Sequence, residues 1–220
     1  MERDEHLVHR LEAFCDIVIG FSLAELTFGL VIPSHAIALV RDPSWILYYL
    51  FTFSIVALMW WSHYRLFRVV FYPDTLNILI NFAWLATVAL LTYFMQISAH
   101  AATLGDNVIG AELYFATLAI NFVLNAAMTA RSYRRRGAFL DDAGKARLVR
   151  VIASALLSAL LLSIGTYWAA TRGPAYLSLV PLAMVVGYGG GGRLLVALWN
   201  RLRNRPKEHA REEGATTRSA

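Results

Sequence analysis

Cysteine is nearly absent: Cys15 is the one thiol in 220 residues. That excludes an intrachain disulfide framework and a multi-cysteine metal site. Charge is also scarce. Asp, Glu, Lys and Arg make up 16% of the chain, against about 25% in an ordinary globular domain. Hydrophobic residues make up 58%, and the mean hydropathy is +0.51. Soluble domains hold about 45–50% apolar residues, so the surplus calls for an apolar solvent. The chain reads as an integral membrane protein. Extended disorder is excluded except at the tail, because disordered chains are poor in apolar residues.

Long uncharged runs carry the organisation. Residues 43–64, 75–105 and 173–192 contain no Asp, Glu, Lys or Arg. With three further apolar segments they predict six spans, at about 7–32, 43–69, 75–100, 108–130, 148–171 and 174–202. A helix of about 20 residues rises about 30 Å, the thickness of the hydrocarbon layer. Strand-type alternation is missing, which argues against a β-barrel. The backbone must pair with itself in lipid, which leaves helices. Glu12, Asp16 and Glu25 interrupt the first segment, and Glu2, Arg3, Asp4 and Glu5 precede it. That leader is unlike a cleavable signal peptide. Pro33 and Pro43 bracket the first loop, Pro73 marks the second, Gly105 the third, and Pro174 follows the fifth span. Pro181 falls inside the sixth and is expected to kink it. The fourth loop is expected over residues 131–150, and 203–220 as a polar, disordered cytoplasmic tail.

Six spans sort the basic residues. Only Arg41 and Arg172 fall in loops one and five, and loop three has none. All the others lie at the N-terminus, near loop two (Arg65, Arg68), in loop four or toward the C-terminus. Positive charge accumulates on the cytoplasmic side. Both termini are therefore expected in the cytoplasm, with the chain a multi-pass protein of the plasma membrane. The net charge of +5 is then a topology signal and a contact for anionic lipids around Arg131, Arg134, Arg135 and Arg136. No nucleic-acid partner is expected.

Two stretches resemble a known family. The first helix reads Arg10-Leu11-Glu12-Ala13-Phe14-Cys15-Asp16, similar to the R-x-x-x-F-S-D signature of the transmembrane protein 175 family. These are the endolysosomal potassium channels and their bacterial single-repeat homologues. The second helix reads Trp60-Trp61-Ser62-His63-Tyr64-Arg65-Leu66-Phe67. It resembles the W-x-x-H-H-R-L-F stretch of bacterial members, with Tyr64 in place of the second His. Asn81 also matches. The resemblance implies a potassium-preferring channel without a P-loop. It would be a homotetramer whose first helices line the pore, and ions would be filtered by dehydration at a narrow constriction.

The residues of the first helix can be read on their own. At about 100° per residue, Arg10, Phe14, Ile17, Phe21, Glu25, Phe28 and Ile32 form one stripe, and Asp16 lies well off it. Carried over from the family, the constriction falls on Phe21, Glu25 and Phe28, with Ile17 and Ala24 as further pore-face candidates. Family members carry mostly aliphatic residues there, so two Phe and one Glu are a departure. Phe rings around a narrow axis can close it by excluding water. Carboxylates around an axis attract cations and repel each other. Glu25 is thus either a cation site, sensitive to protons, or an acid paired with a polar group on a neighbouring helix. Asp16 is expected to accept a hydrogen bond from His63 or Trp60. Arg10, Phe14, Cys15, Asp16, Trp60, His63 and Asn81 form the motif network that the resemblance implies, either as assembly glue or as a link to opening. Asn121 and Asn125, one helical turn apart, read as interhelical contacts.

Other motifs carry less. Val186-Gly187-Tyr188-Gly189 matches the core of a P-loop filter, but lies inside the sixth segment and not in a re-entrant loop. Gly187 to Gly192 satisfies G-x-G-x-x-G without a preceding strand, so no dinucleotide site is expected. No nucleophile elbow or metal-binding His spacing occurs. The chain is not expected to be an enzyme or to hold a cofactor or a resident metal. The expected partners are further copies of itself in a homotetramer, potassium and other monovalent cations or protons, and lipid. Rival readings are a proton-permeable or weakly selective cation channel, a secondary transporter, and a non-conducting scaffold.

Overall fold

The computed structural model describes residues 2–29, 37, 44–101 and 103–173. Over these the chain is helical, with no strand. Five long helices follow in order: α1 (Glu2–Phe28), α2 (Ser44–Val69), α3 (Thr75–Ala99), α4 (Leu104–Arg136) and α5 (Asp142–Arg172). A short 3-10 turn, Gly137–Phe139, joins α4 to α5. The first loop, the sixth segment with Pro181 and Val186–Gly189, and the tail lie outside the described residues.

Four of the five, α2 to α5, are long and apolar enough to cross a membrane. The chain is a multi-pass membrane protein. α1 is not among the four, although it has 27 residues. Glu12, Asp16 and Glu25 lower its apolar character.

Local chemistry sets the helix ends. Asp74 caps α3 by accepting from the Asn77 amide at 2.9 Å. Thr103 caps α4 through the Asp106 amide at 3.1 Å, and Asp141 caps α5 through the Gly144 amide at 2.8 Å. Each satisfies an amide that the helix itself leaves unpaired. Gly173 ends α5 at φ 118, a conformation that suits glycine.

Helix α4 is the hub, packing against α3 and α5 over most of its length, while α1 lies on α2 and α3. Trp84, Tyr114, Phe71, Phe122 and Leu118 are fully buried in this core. Gly110 permits the close approach of α4 to the end of α3. A Cβ there would meet the Ser98 backbone at 2.8 Å. Two hydrogen bonds hold the same spot: Asn107 Nδ2 donates to the Ser98 carbonyl at 2.8 Å, and Ser98 Oγ donates to the Asn107 carbonyl at 3.1 Å.

The fourth loop differs from expectation. Residues 131–136 continue α4 and residues 142–150 begin α5, so only 137–141 separate the helices. Polarity alone suggested a loop, but Arg, Lys and Ala are strong helix formers. Arg134, Arg135 and Arg136 also sit in the last turn of α4, where cations complement the helix dipole.

Candidate functional site: the first helix and its polar contacts

Helix α1 has two faces. Leu11, Cys15, Ile19, Ser22 and Leu26 are buried in the chain's own core. Phe14, Ile17, Phe21, Glu25 and Phe28 are exposed, Phe21 at 73% and Phe28 at 86%. The faces are centred roughly 120° apart around the helix. Ala24, half-buried, joins Phe21, Glu25 and Phe28 along an open groove beside Ala89 of α3. The Glu25 carboxylate makes no hydrogen bond or ion pair among the described residues. Its backbone carbonyl accepts from Gln96 Nε2 at 3.1 Å, which ties the far end of α1 to α3.

The motif residues divide into two separate contacts. Of the two candidate partners for Asp16, Trp60 takes the role, donating its indole N–H at 2.8 Å. Trp60 is itself stacked on Tyr64, with centroids 5.8 Å apart. His63 turns away to Asn81, and its Nε2 lies 2.7 Å from Asn81 Oδ1. An amide oxygen only accepts, so Nε2 carries the proton. Asn81 Nδ2 then donates to Cys15 Sγ at 3.3 Å. All three residues are at most 2% exposed. The His63 ring stacks on Trp84 at 4.4 Å. This chain of donors joins α2, α3 and α1 inside the core. Phe14 meets Phe82 of α3 edge-on at 5.8 Å. Arg10 is exposed and makes no ion pair among the described residues. The acid engaged near it is Glu12, which lies 3.4 Å from Arg68 Nε.

The basic end holds a contact that the sequence did not reveal. Arg131 of α4 reaches Asp74 at the start of α3, with Nη2 to Oδ2 at 2.6 Å and Nε to Oδ1 at 3.1 Å. The guanidinium holds the Asp74 carboxyl below the usual carboxylate range, helped by the Asn77 amide and opposed by partial burial. Tyr72 lies beneath Arg135 and Arg136, at 5.9 and 5.6 Å from its ring. Its amide donates to Ser132 Oγ at 3.3 Å. These contacts bring the α2–α3 link and the α4–α5 end to the same side. The signal available in the sequence was Asp74 immediately before an apolar run, the position of a helix cap. Asn121 also finds a partner on α3, donating to Thr87 Oγ1 at 2.7 Å. Among the described residues, Asn125 is hydrogen-bonded only within α4, by Thr129.

Among the described residues, no group of three or more His, Cys, Asp and Glu is placed to hold a metal. Fold and site together define a multi-pass α-helical membrane protein with polar knots between its helices. Residues 10–91 match the model of a family described as the endosomal/lysosomal potassium channel TMEM175. The fold resembles the crystal structure of a lysosomal potassium-selective channel TMEM175 homologue from Chamaesiphon minutus. The TM-score is 0.59 and the identity 18%, over 83% of this chain and 99% of that one. It also resembles a variant of the potassium channel MtTMEM175 bound to a nanobody fusion protein. There the TM-score is 0.59 and the identity 16%, over 89% of this chain and 93% of that one. No curated protein matches the chain. The family match spans residues 10–91, which run from α1 through most of α3 and include the motif residues of both polar contacts.

Proposed function

We propose that the chain is a passive, potassium-preferring cation channel without a P-loop. Residues 1–202 form the channel domain of six spans and 203–220 its cytoplasmic tail. Subunits assemble as a homotetramer in the plasma membrane, with both termini cytoplasmic and α1 lining the axis. Phe21, Glu25 and Phe28 form the constriction, and Ile17 and Ala24 continue its wall. The basic end meets anionic lipid. The family match supports the ion class.

The observation that carries this reading is the exposed face of α1. Four large apolar side chains and one carboxylate share it, and the other described helices leave it largely uncovered. Lipid would suit the Phe side chains but not the acid, since a mid-span carboxylate costs about 2.5–3.5 kcal/mol on the insertion scale. An axis shared by several copies suits both. Apolar rings exclude water when the path is narrow, and carboxylates draw in cations when it is wet.

Purified protein in liposomes with potassium, sodium and proton gradients tests the reading. Rapid passive flux with potassium ahead of sodium is expected. Saturable, counter-ion-coupled flux would make it a transporter, and no flux a scaffold. A second reading, a proton-permeable or weakly selective channel, is favoured by the exposed Glu25 carboxylate on the same face, which pairs with no described residue. Glu25→Gln then abolishes proton flux or its pH response. If flux, ion preference and pH response all stay unchanged, Glu25 has no part in conduction.

A further inference from the structure

A groove of about 560 Å³ opens between α2 and α5, with α4 as its floor. Arg65 enters it from α2, and Arg147 and Arg150 from α5. None of the three pairs with a carboxylate among the described residues. Arg150 Nε makes only a 3.3 Å contact to the carbonyl of Ala146 in its own helix. The arginines of the α4 end differ, because Arg131 is neutralised by Asp74 and Arg135 and Arg136 lie over Tyr72. On the groove floor, Asn125 is 5% exposed. Asn125 lines the same space as the three cations, and its Nδ2 donates to no described residue. One turn further along the spans the lining becomes apolar, with Leu58, Val151 and Ala155. From Arg147 to Ala155 is roughly 12 Å along α5, at about 1.5 Å per residue. The half-exposed Trp61 lies at the mouth, an amphipathic ring of the kind that settles at a bilayer interface.

We propose that this groove binds one anionic phospholipid per subunit. Its phosphodiester sits among Arg65, Arg147 and Arg150, an ester carbonyl accepts from Asn125 Nδ2, and an acyl chain runs along Leu58 and Ala155. The site rests on the reading that the basic end meets anionic lipid, and moves the contact from the α4–α5 turn to the α2–α5 groove. Guanidinium groups bind phosphate through charge-assisted, often bidentate hydrogen bonds. The apolar stretch distinguishes a lipid from a free anion, because inorganic phosphate leaves that wall empty.

Native mass spectrometry of the full-length protein, taken from mixed phosphatidylglycerol and phosphatidylcholine vesicles, tests this. The wild type is expected to retain phosphatidylglycerol in preference to phosphatidylcholine. Arg147→Gln with Arg150→Gln should lower that retention about tenfold or more. Arg68→Gln with Arg172→Gln removes the same charge outside the groove and should leave it within about twofold. Ser154→Phe keeps every charge but crowds the groove, and should also displace the lipid while the protein elutes as the wild type does on gel filtration. Equal loss from both arginine pairs would reduce the effect to general surface charge and overturn the site. So would displacement of the lipid by inorganic phosphate alone, which marks a free-anion site. Absence of retained phosphatidylglycerol from the wild type would overturn it as well.

Discussion

Trp60 and Asp16 are joined across the contact between α2 and α1 by a 2.8 Å indole hydrogen bond, although 44 residues separate them in the chain. The donor lies on a helix long and apolar enough to cross a membrane and the acceptor on the helix proposed to line the pore. The bond is one of the contacts that orient α1 against α2. Trp60→Phe keeps the ring and removes the donor. It should cost at most about 1.5–3 kcal/mol, the range for a hydrogen bond to a charged group, since Asp16 is exposed. Thermal unfolding in detergent reads this directly.

The knot of His63, Asn81 and Cys15 should be the more sensitive one, because it is buried. Asn81→Ala leaves the His63 Nε2–H without an acceptor at 2% exposure. The expected loss is about 1–3 kcal/mol. His63→Phe combined with Asn81→Leu should lose less than the two single changes added together, since no orphan donor remains. A double-mutant cycle showing no coupling would remove this pair from the stability of the core.

Asp74 and Arg131 make stability depend on pH. The Asp74 carboxyl is held below its ordinary range in the folded protein. A group lowered on folding contributes fully above its unfolded value, about 3.9 for Asp. The contribution fades as pH falls through the lower folded value. The difference in melting temperature between wild type and Asp74→Asn should therefore be level from neutral pH to about 4 and shrink below it. A difference that stays constant to pH 2 would contradict the ion pair.

Phe21 and Phe28 are expected to set the width of the proposed constriction. Phe21→Ala and Phe28→Ala should each raise passive cation flux in liposomes and weaken the preference for potassium over sodium. Stability should change little, because both rings are exposed in the chain. A large drop in melting temperature with unaltered flux would place them in subunit packing and not in the ion path.

Gly110 is required by space. Any side chain there must displace the Ser98 backbone, 2.8 Å from the added Cβ. Gly110→Val should cost about 1–3 kcal/mol through overpacking and weaken the Asn107–Ser98 hydrogen bonds, visible as faster amide exchange at the α3–α4 link.

Much of this was legible in the sequence. Uncharged runs marked α2 and α3, and the acids of α1 marked it as different from an ordinary span. The stripe of Phe14, Ile17, Phe21, Glu25 and Phe28 followed from helical spacing, and these residues share the exposed face of α1. The loop expected at 131–150 was misjudged because charge was read as a break, whereas helix ends welcome cations. The engaged acid near Arg10 was missed because Glu12 finds its partner on another helix, at Arg68.

By itself the sequence determined that the described chain is helical, where its apolar stretches run, on which end the cations gather, and which side chains share a face of α1. These follow from hydropathy and from a period of about 3.6 residues, both local properties. Only the tertiary structure decided that Asp16 takes Trp60 and His63 takes Asn81. It alone decided that Arg131 is neutralised by Asp74, while Arg65, Arg147 and Arg150 are left to converge on one groove. Those outcomes depend on the rotation and depth of each helix against its neighbours. Packing sets both, through side chains far apart in the chain.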